Sequence, residues 1–192
     1  LGAKCRYISV VGPDTNATIA KNELERFNVQ HVLIEDNSRP TTFKIRYLVE
    51  NQKMFRVSRM KEHGLSQQIE EKIIKELTDF ASKVQCVLIS DFVYGVITPR
   101  VLATITELVA KHSLLVIGDL QCSSQVGNVS KFKDFELICP TEREARIAVG
   151  TQDEGVEWVA NSLMSQTKSK NLVMKLGGLG FIAYETETDG FI

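Results

Sequence analysis

The chain has 192 residues, a formal net charge of -1 and 24% charged residues. That size suits a single domain, and that charge provides no global field to draw the chain onto nucleic acid or an anionic membrane. Apolar residues make up 43%, enough for a sizeable core, and no apolar run approaches the roughly 18 residues of a membrane span. Cys5, Cys86, Cys122 and Cys139 lie far apart with no CxxC pair, and His31, His63 and His112 show no metal-ligand spacing. With no signal peptide in view, these features predict a cytoplasmic protein with reduced thiols, Cys5, Cys86 and Cys139 being buried.

Tyr7-Ile8-Ser9-Val10-Val11 reads as a strand ended by the turn signal Gly12-Pro13-Asp14. Ile19, Leu24 and Phe27 follow at roughly helical spacing, and His31 to Ile34 reads as a second strand. Thr42, Lys44 and Arg46 then alternate with Phe43, Ile45, Tyr47 and Val49, the period of a strand. Asn51-Gln52-Lys53 breaks the run, after which Phe55 and Val57 alternate with Arg56 and Ser58. This predicts a hairpin flap over 38–60, with one apolar face and one face carrying Lys44, Arg46 and Arg56.

From Ser66 the period turns helical, with Ile69, Ile73, Leu77 and Phe80 in one stripe. Val84 to Ile89 suits a strand buried on both faces. Thr98-Pro99 caps and opens the next helix, and Leu114 to Ile117 is the following buried strand, ending at Gly118-Asp119. Gln121 to Asn128 is a polar loop and Leu137-Ile138-Cys139 a short strand. Thr141 and Thr151 begin two helices separated by Gly150. Leu172 to Leu176 and Phe181 to Tyr184 are strands around the turn Gly177-Gly178-Leu179-Gly180. The alternation predicts an α/β fold, a mostly parallel sheet with helices on both faces, in one domain over 1–192.

In such sheets ligands bind outside the carboxyl ends of the strands. Here those ends are Ser90-Asp91, Gly118-Asp119, Pro140-Thr141 and Gly177-Gly178. Two carboxylates, a helix start and a glycine turn suit a phosphorylated ligand with a metal ion. Each feature also has a plain structural reading. Thr141 with Glu144 fits a capping box, as does Thr151 with Glu154. Asp91 and Asp119 fit ordinary strand ends, Gly177 and Gly180 a hairpin turn, Asp14 a turn, and Lys44 and Arg46 a solvated edge strand.

Several segments resemble ribokinase-type (PfkB) sugar kinases, in the same order along the chain. Arg39-Pro40-Thr41-Thr42-Phe43-Lys44-Ile45-Arg46 and Asn51-Gln52-Lys53-Met54-Phe55-Arg56-Val57 are similar to the flap of the heptose 7-phosphate kinase branch, which includes the kinase domain of ADP-heptose synthases. Ser90-Asp91-Phe92-Val93-Tyr94-Gly95 resembles that branch's Ser-Asp-Tyr-x-Lys-Gly segment. Pro140-Thr141-Glu142-Arg143-Glu144 resembles the family's Pro-Asn-x-x-Glu, and Lys175 to Gly180 its Thr-x-Gly-x-x-Gly nucleotide loop.

The resemblance implies a ribokinase-like fold and transfer of phosphate from ATP, with Mg²⁺, to a sugar or sugar phosphate, heptose 7-phosphate among the candidates. It implies that Lys44 and Arg46 lie over the sugar phosphate and that Asp91 lines the sugar pocket. Asp119, Thr141, Lys175, Gly177 and Gly180 would meet the nucleotide, and Glu144 would act on Mg²⁺. The apolar face of the flap would be buried either against the body or, as in many members of that family, against a second subunit's flap in a homodimer. The departures are Tyr94 and Gln121 in place of lysines, Thr141 in place of Asn, and Lys175 in place of Thr. The family's catalytic base lies in a Gly-Ala-Gly-Asp motif that does not occur in this sequence. The sequence therefore reads as the central part of a longer chain, and an alternative is a catalytically silent homologue that binds a nucleotide or sugar phosphate or serves in assembly.

Overall fold

The computed structural model describes residues 2–50, 52–122 and 127–186. The break at Asn51, the middle of the polar loop (123–126) and the last residues (187–192) lie outside the described residues. The chain divides into two compact units. The first comprises the described residues up to Asp79 together with Tyr94–Thr104; the second comprises Phe80–Val93 and the described residues from Ile105 onward.

In the first unit, β1 (Arg6–Val11) and β2 (Gln30–Glu35) pair in parallel and are joined by α1 (Thr15–Arg26). The Asp14 side chain starts α1 by accepting from the Ala17 amide at 3.2 Å, satisfying one of the free donors of the first turn. β3 (Phe43–Val49) and β4 (Gln52–Arg59) form an antiparallel hairpin, within the span expected for the flap. Lys44 opposes Ser58 and Arg46 opposes Arg56, so these share one face; Ile45 opposes Val57 and Tyr47 opposes Phe55 on the other. The Tyr47 and Phe55 rings stack at 4.4 Å. α2 (Gln67–Ala81) follows Ser66, whose hydroxyl accepts from the Ile69 amide.

The second unit is built on a five-stranded sheet of order β5-β6-β7-β8-β9. Its strands are β5 (Cys86–Asp91), β6 (Leu115–Leu120), β7 (Leu137–Ile138), β8 (Asn171–Lys175) and β9 (Phe181–Glu185). The first four run parallel and β9 returns antiparallel to β8. α3 (Pro99–His112) links β5 to β6; Thr98 caps it by accepting from the Val101 amide, and Pro99 fills the first turn where no amide is needed. α4 (Glu142–Val149) and α5 (Val156–Thr167) connect β7 to β8. Period-two alternation sorts the strand residues. Val116, Leu120, Ile138, Leu172 and Met174 are buried together with Ala145 of α4 and Val159, Ala160 and Leu163 of α5. Phe132 and Phe135 stack at 4.9 Å in this core. Gly118 admits the Phe132 ring, because a Cβ there would stand 2.6 Å from it.

Three expectations need correction. Neither β5 nor β6 is buried throughout: Leu88 is 65% exposed with Cys86 and Ser90 exposed beside it, and Leu115 at the start of β6 is 51% exposed. The cysteines are free thiols as expected, but Cys5 and Cys86 are exposed and Cys139 only half-buried. Thr151 does not start a helix; α5 begins at Gly155 with no side-chain cap, since the backbone between Gly150 and Gly155 forms a turn instead.

Candidate functional site

The carboxyl ends of β5, β6, β7 and β8 bring several of the expected residues together in the second unit. Asp119, on β6, receives the Lys175 ammonium of β8 on Oδ1 at 2.6 Å and the Gln121 amide on Oδ2 at 3.2 Å. Lys175 in turn bridges to Thr141 along the backbone, its amide donating to the Pro140 carbonyl at 2.9 Å. Thr141 caps α4, and Glu144 completes a capping box. Glu144 Oε2 accepts from the Thr141 amide at 2.8 Å, and the Glu144 amide donates to the Thr141 hydroxyl at 3.3 Å. The carboxylate goes further than a cap requires: Oε1 accepts from the Cys122 amide at 2.6 Å. Glu144, 4% exposed, therefore ties the segment after β6 to the start of α4.

Asp91, at the end of β5, is 3% exposed. Its Oδ1 accepts from the Val93 amide at 2.8 Å and its Oδ2 is ion-paired with Lys131. Lys131 carried no periodic or motif signal, because its role depends on the 3₁₀ turn Val129–Lys131 meeting a strand forty residues away. The Cys139 thiol is pushed up first by burial and then by Asp119, with Lys175 opposing. Burial first, then Glu144 and Asp91, raise the Cys122 thiol against the pull of the Gly127 amide. In both thiols carboxylate charge adds to the larger effect of burial.

The glycine turn sits between β8 and β9. Gly177 and Gly180 have φ of +64° and +95°, and a Cβ on either would meet nothing within 4 Å. The requirement for glycine is thus conformational, and the space leaves the backbone approachable by a ligand. Among the described residues, no three His, Cys, Asp or Glu side chains gather to hold a metal ion. Glu144, whose two oxygens already accept the Cys122 and Thr141 amides, fits Mg²⁺ only through water, a usual manner for that ion.

The flap residues belong to the first unit. Arg46 is exposed beside Arg56, and Lys44 is half-buried with its ammonium 4.8 Å from the centroid of the Tyr94 ring. The base of the hairpin holds a network that the sequence did not signal. Arg39, with its side chain 5% exposed, pairs with Asp36 at 2.8 Å and donates to the carbonyls of Tyr94, His63 and Gly64. Burial alone would raise the Asp36 carboxyl, but bonds from Ser38 and Arg39 outweigh it and hold it below the ordinary value. Asp14 also serves this base: it accepts from the Thr41 amide at 3.0 Å, and the Thr41 bonds hold its carboxyl low.

Comparisons with known proteins agree with this architecture. The family model for pfkB family carbohydrate kinases matches residues 1–192. The bifunctional protein HldE of Trichlorobacter lovleyi is 30% identical over 178 residues, 91% of this chain and 35% of that protein. The bifunctional protein HldE of Nitratiruptor sp. is 29% identical over 189 residues, 97% of this chain and 39% of that protein. The chain thus spans little more than a third of the length of these relatives. Among solved structures, ribokinase from Giardia lamblia superposes with a TM-score of 0.76 at 18% identity, covering 97% of this chain and 58% of that one. Phosphofructokinase-2 from Escherichia coli, in complex with fructose-6-phosphate, superposes with a TM-score of 0.72 at 18% identity, covering 100% and 62%. The fold is ribokinase-like, and the chain belongs to the pfkB family of carbohydrate kinases.

Proposed function

We propose that the protein containing this chain transfers a phosphoryl group from ATP to a sugar or sugar phosphate, with heptose 7-phosphate as the first substrate to try. The observation that carries this reading is the linked set at the strand ends, where Asp119, Lys175, Thr141 and Glu144 share one hydrogen-bonded network. Such an edge is where α/β sheets bind ligands. In this reading the 192 residues form one incomplete ribokinase-like domain, with 38–60 as its flap. Lys44 and Arg46 bind the phosphate of the acceptor, and Asp91 lines the sugar pocket. Asp119, Thr141, Lys175, Gly177 and Gly180 meet the nucleotide. Glu144 would hold Mg²⁺ through water, and that ion would supply charge neutralisation on the phosphates. Phosphoryl transfer depends on positioning and electrostatics, which is the contribution these residues make. The proton-accepting base is assigned to no residue of this chain, since Gly-Ala-Gly-Asp does not occur in it. A homodimer through the apolar face of the flap is part of the same proposal.

A specific observation favours the second reading, a catalytically silent binder. Lys131 and Lys175 are each paired with a carboxylate, Asp91 and Asp119, that the active reading needs for ligands. Phosphorus NMR of the full-length protein with Mg²⁺-ATP and heptose 7-phosphate separates the two. A new phosphate ester resonance is expected. Binding of both ligands with no turnover would leave the silent reading standing. Lys44→Ala with Arg46→Ala should weaken heptose 7-phosphate at least about tenfold while sparing ATP, since each removes a charge-assisted bond. Unchanged affinity would remove the flap from the acceptor site.

A further inference from the structure

The lysine of the flap is held by an aromatic ring. Lys44 lies on β3 with its Nζ 4.8 Å from the centroid of Tyr94, inside the roughly 6 Å over which a ring face attracts a cation. Tyr94 is 8% exposed and belongs to the same compact unit as Lys44. Its position is fixed by its surroundings. The Tyr94 carbonyl accepts from Arg39 Nη1 at 3.0 Å. Arg39 is anchored in turn by Asp36 at 2.8 Å and by the carbonyls of His63 and Gly64 at 2.8 and 3.2 Å. The next residue, Gly95, has φ of +82°, and a Cβ there would stand 2.3 Å from the His63 carbonyl oxygen. The backbone at 94–95 is therefore packed closely against His63 and Gly64.

We propose that Tyr94 is a positioning residue that presents Lys44 to an anionic group of the ligand. The physical reason lies in the kind of contact. A carboxylate that fixes a lysine also cancels its charge, as Asp91 does for Lys131 and Asp119 for Lys175. An aromatic ring draws the ammonium through its quadrupole and carries no net charge, so this contact orients Lys44 and adds no opposing charge. The inference rests on the proposal that Lys44 binds the phosphate of a sugar phosphate.

Two measurements on the full-length protein test it separately from that proposal. In the ligand-free protein, ¹H–¹³C spectra should show the Lys44 Cε protons displaced upfield by the ring current of Tyr94. The displacement should persist in Tyr94→Phe and vanish in Tyr94→Leu; no displacement in the unsubstituted protein overturns the inference. Titration with heptose 7-phosphate should then show Tyr94→Leu weakened by about 3- to 30-fold, with Tyr94→Phe close to the parent and Mg²⁺-ATP affinity unchanged in both. A Tyr94→Leu variant that loses the ring-current shift but binds as tightly overturns the positioning role. An unsubstituted protein that shows the shift but binds no heptose 7-phosphate overturns the sugar-phosphate assignment on which the role rests.

Discussion

Single residues carry energy here that composition does not reveal. Val93 has φ of +62°, a conformation that costs a β-branched residue about 1–2 kcal/mol. It follows Asp91, whose carboxylate accepts its amide, and its side chain packs where a Cβ on Gly127 would clash. Val93→Gly should therefore change stability by less than about 1 kcal/mol, read as the urea midpoint, because relief of the strain is offset by lost packing and by the freedom glycine adds to the unfolded chain; a loss of several kcal/mol would refute the strain. The Asp36–Arg39 pair at the flap base is buried on both sides. Asp36→Asn should cost about 3 kcal/mol, because it leaves a buried guanidinium without its counter-charge. The pH dependence follows from the lowered Asp36 carboxyl. Its contribution is complete above the unfolded value of 3.8 and is lost as pH falls through the lower folded value. Denaturant melts at pH 7 and at pH 3 should show a loss in the parent that is smaller in Asp36→Asn.

At the level of elements, identical local signals had different outcomes. Thr141 and Thr151 both begin an S/T-x-x-E pattern, yet only Thr141 caps a helix. Thr141→Ala should cost about 1 kcal/mol and Thr151→Ala almost nothing by thermal or chemical denaturation. Equal losses would refute the assignment. The difference arises because Thr141 is seated beside Lys175 of β8 by a backbone bridge, which fixes where α4 starts. Thr151 instead follows Gly150, the left-handed cap of α4, and the chain bends there until Gly155. The hairpin was legible in detail, since period-two alternation sorts Lys44, Arg46 and Arg56 from Ile45, Tyr47, Phe55 and Val57 before any pairing is known.

Over the whole molecule, the apolar face of the flap stands out. Ile45, Tyr47, Phe55 and Val57 are between 37% and 59% exposed on one face of a two-stranded sheet. An exposed apolar face of this kind is the surface on which the proposed flap dimer would form. If it joins two copies, light scattering will show mass rising with concentration, and Ile45→Lys with Val57→Lys will leave a monomer. A parent protein that stays monomeric at high concentration would exclude the flap dimer. No helix among the described residues is long and apolar enough to cross a membrane.

The order of strands and helices, the two faces of the hairpin and the residues at the strand ends were determined by the sequence alone, because periodicity and turn chemistry are local. Tertiary structure decided which partners those residues found: Lys131 on Asp91, Lys175 on Asp119, Cys122 on Glu144, Arg39 on Asp36 and three carbonyls, and Lys44 on Tyr94. Most of these contacts join residues far apart in the chain. Their geometry is set by how strands align and loops return, and no spacing along the sequence encodes it.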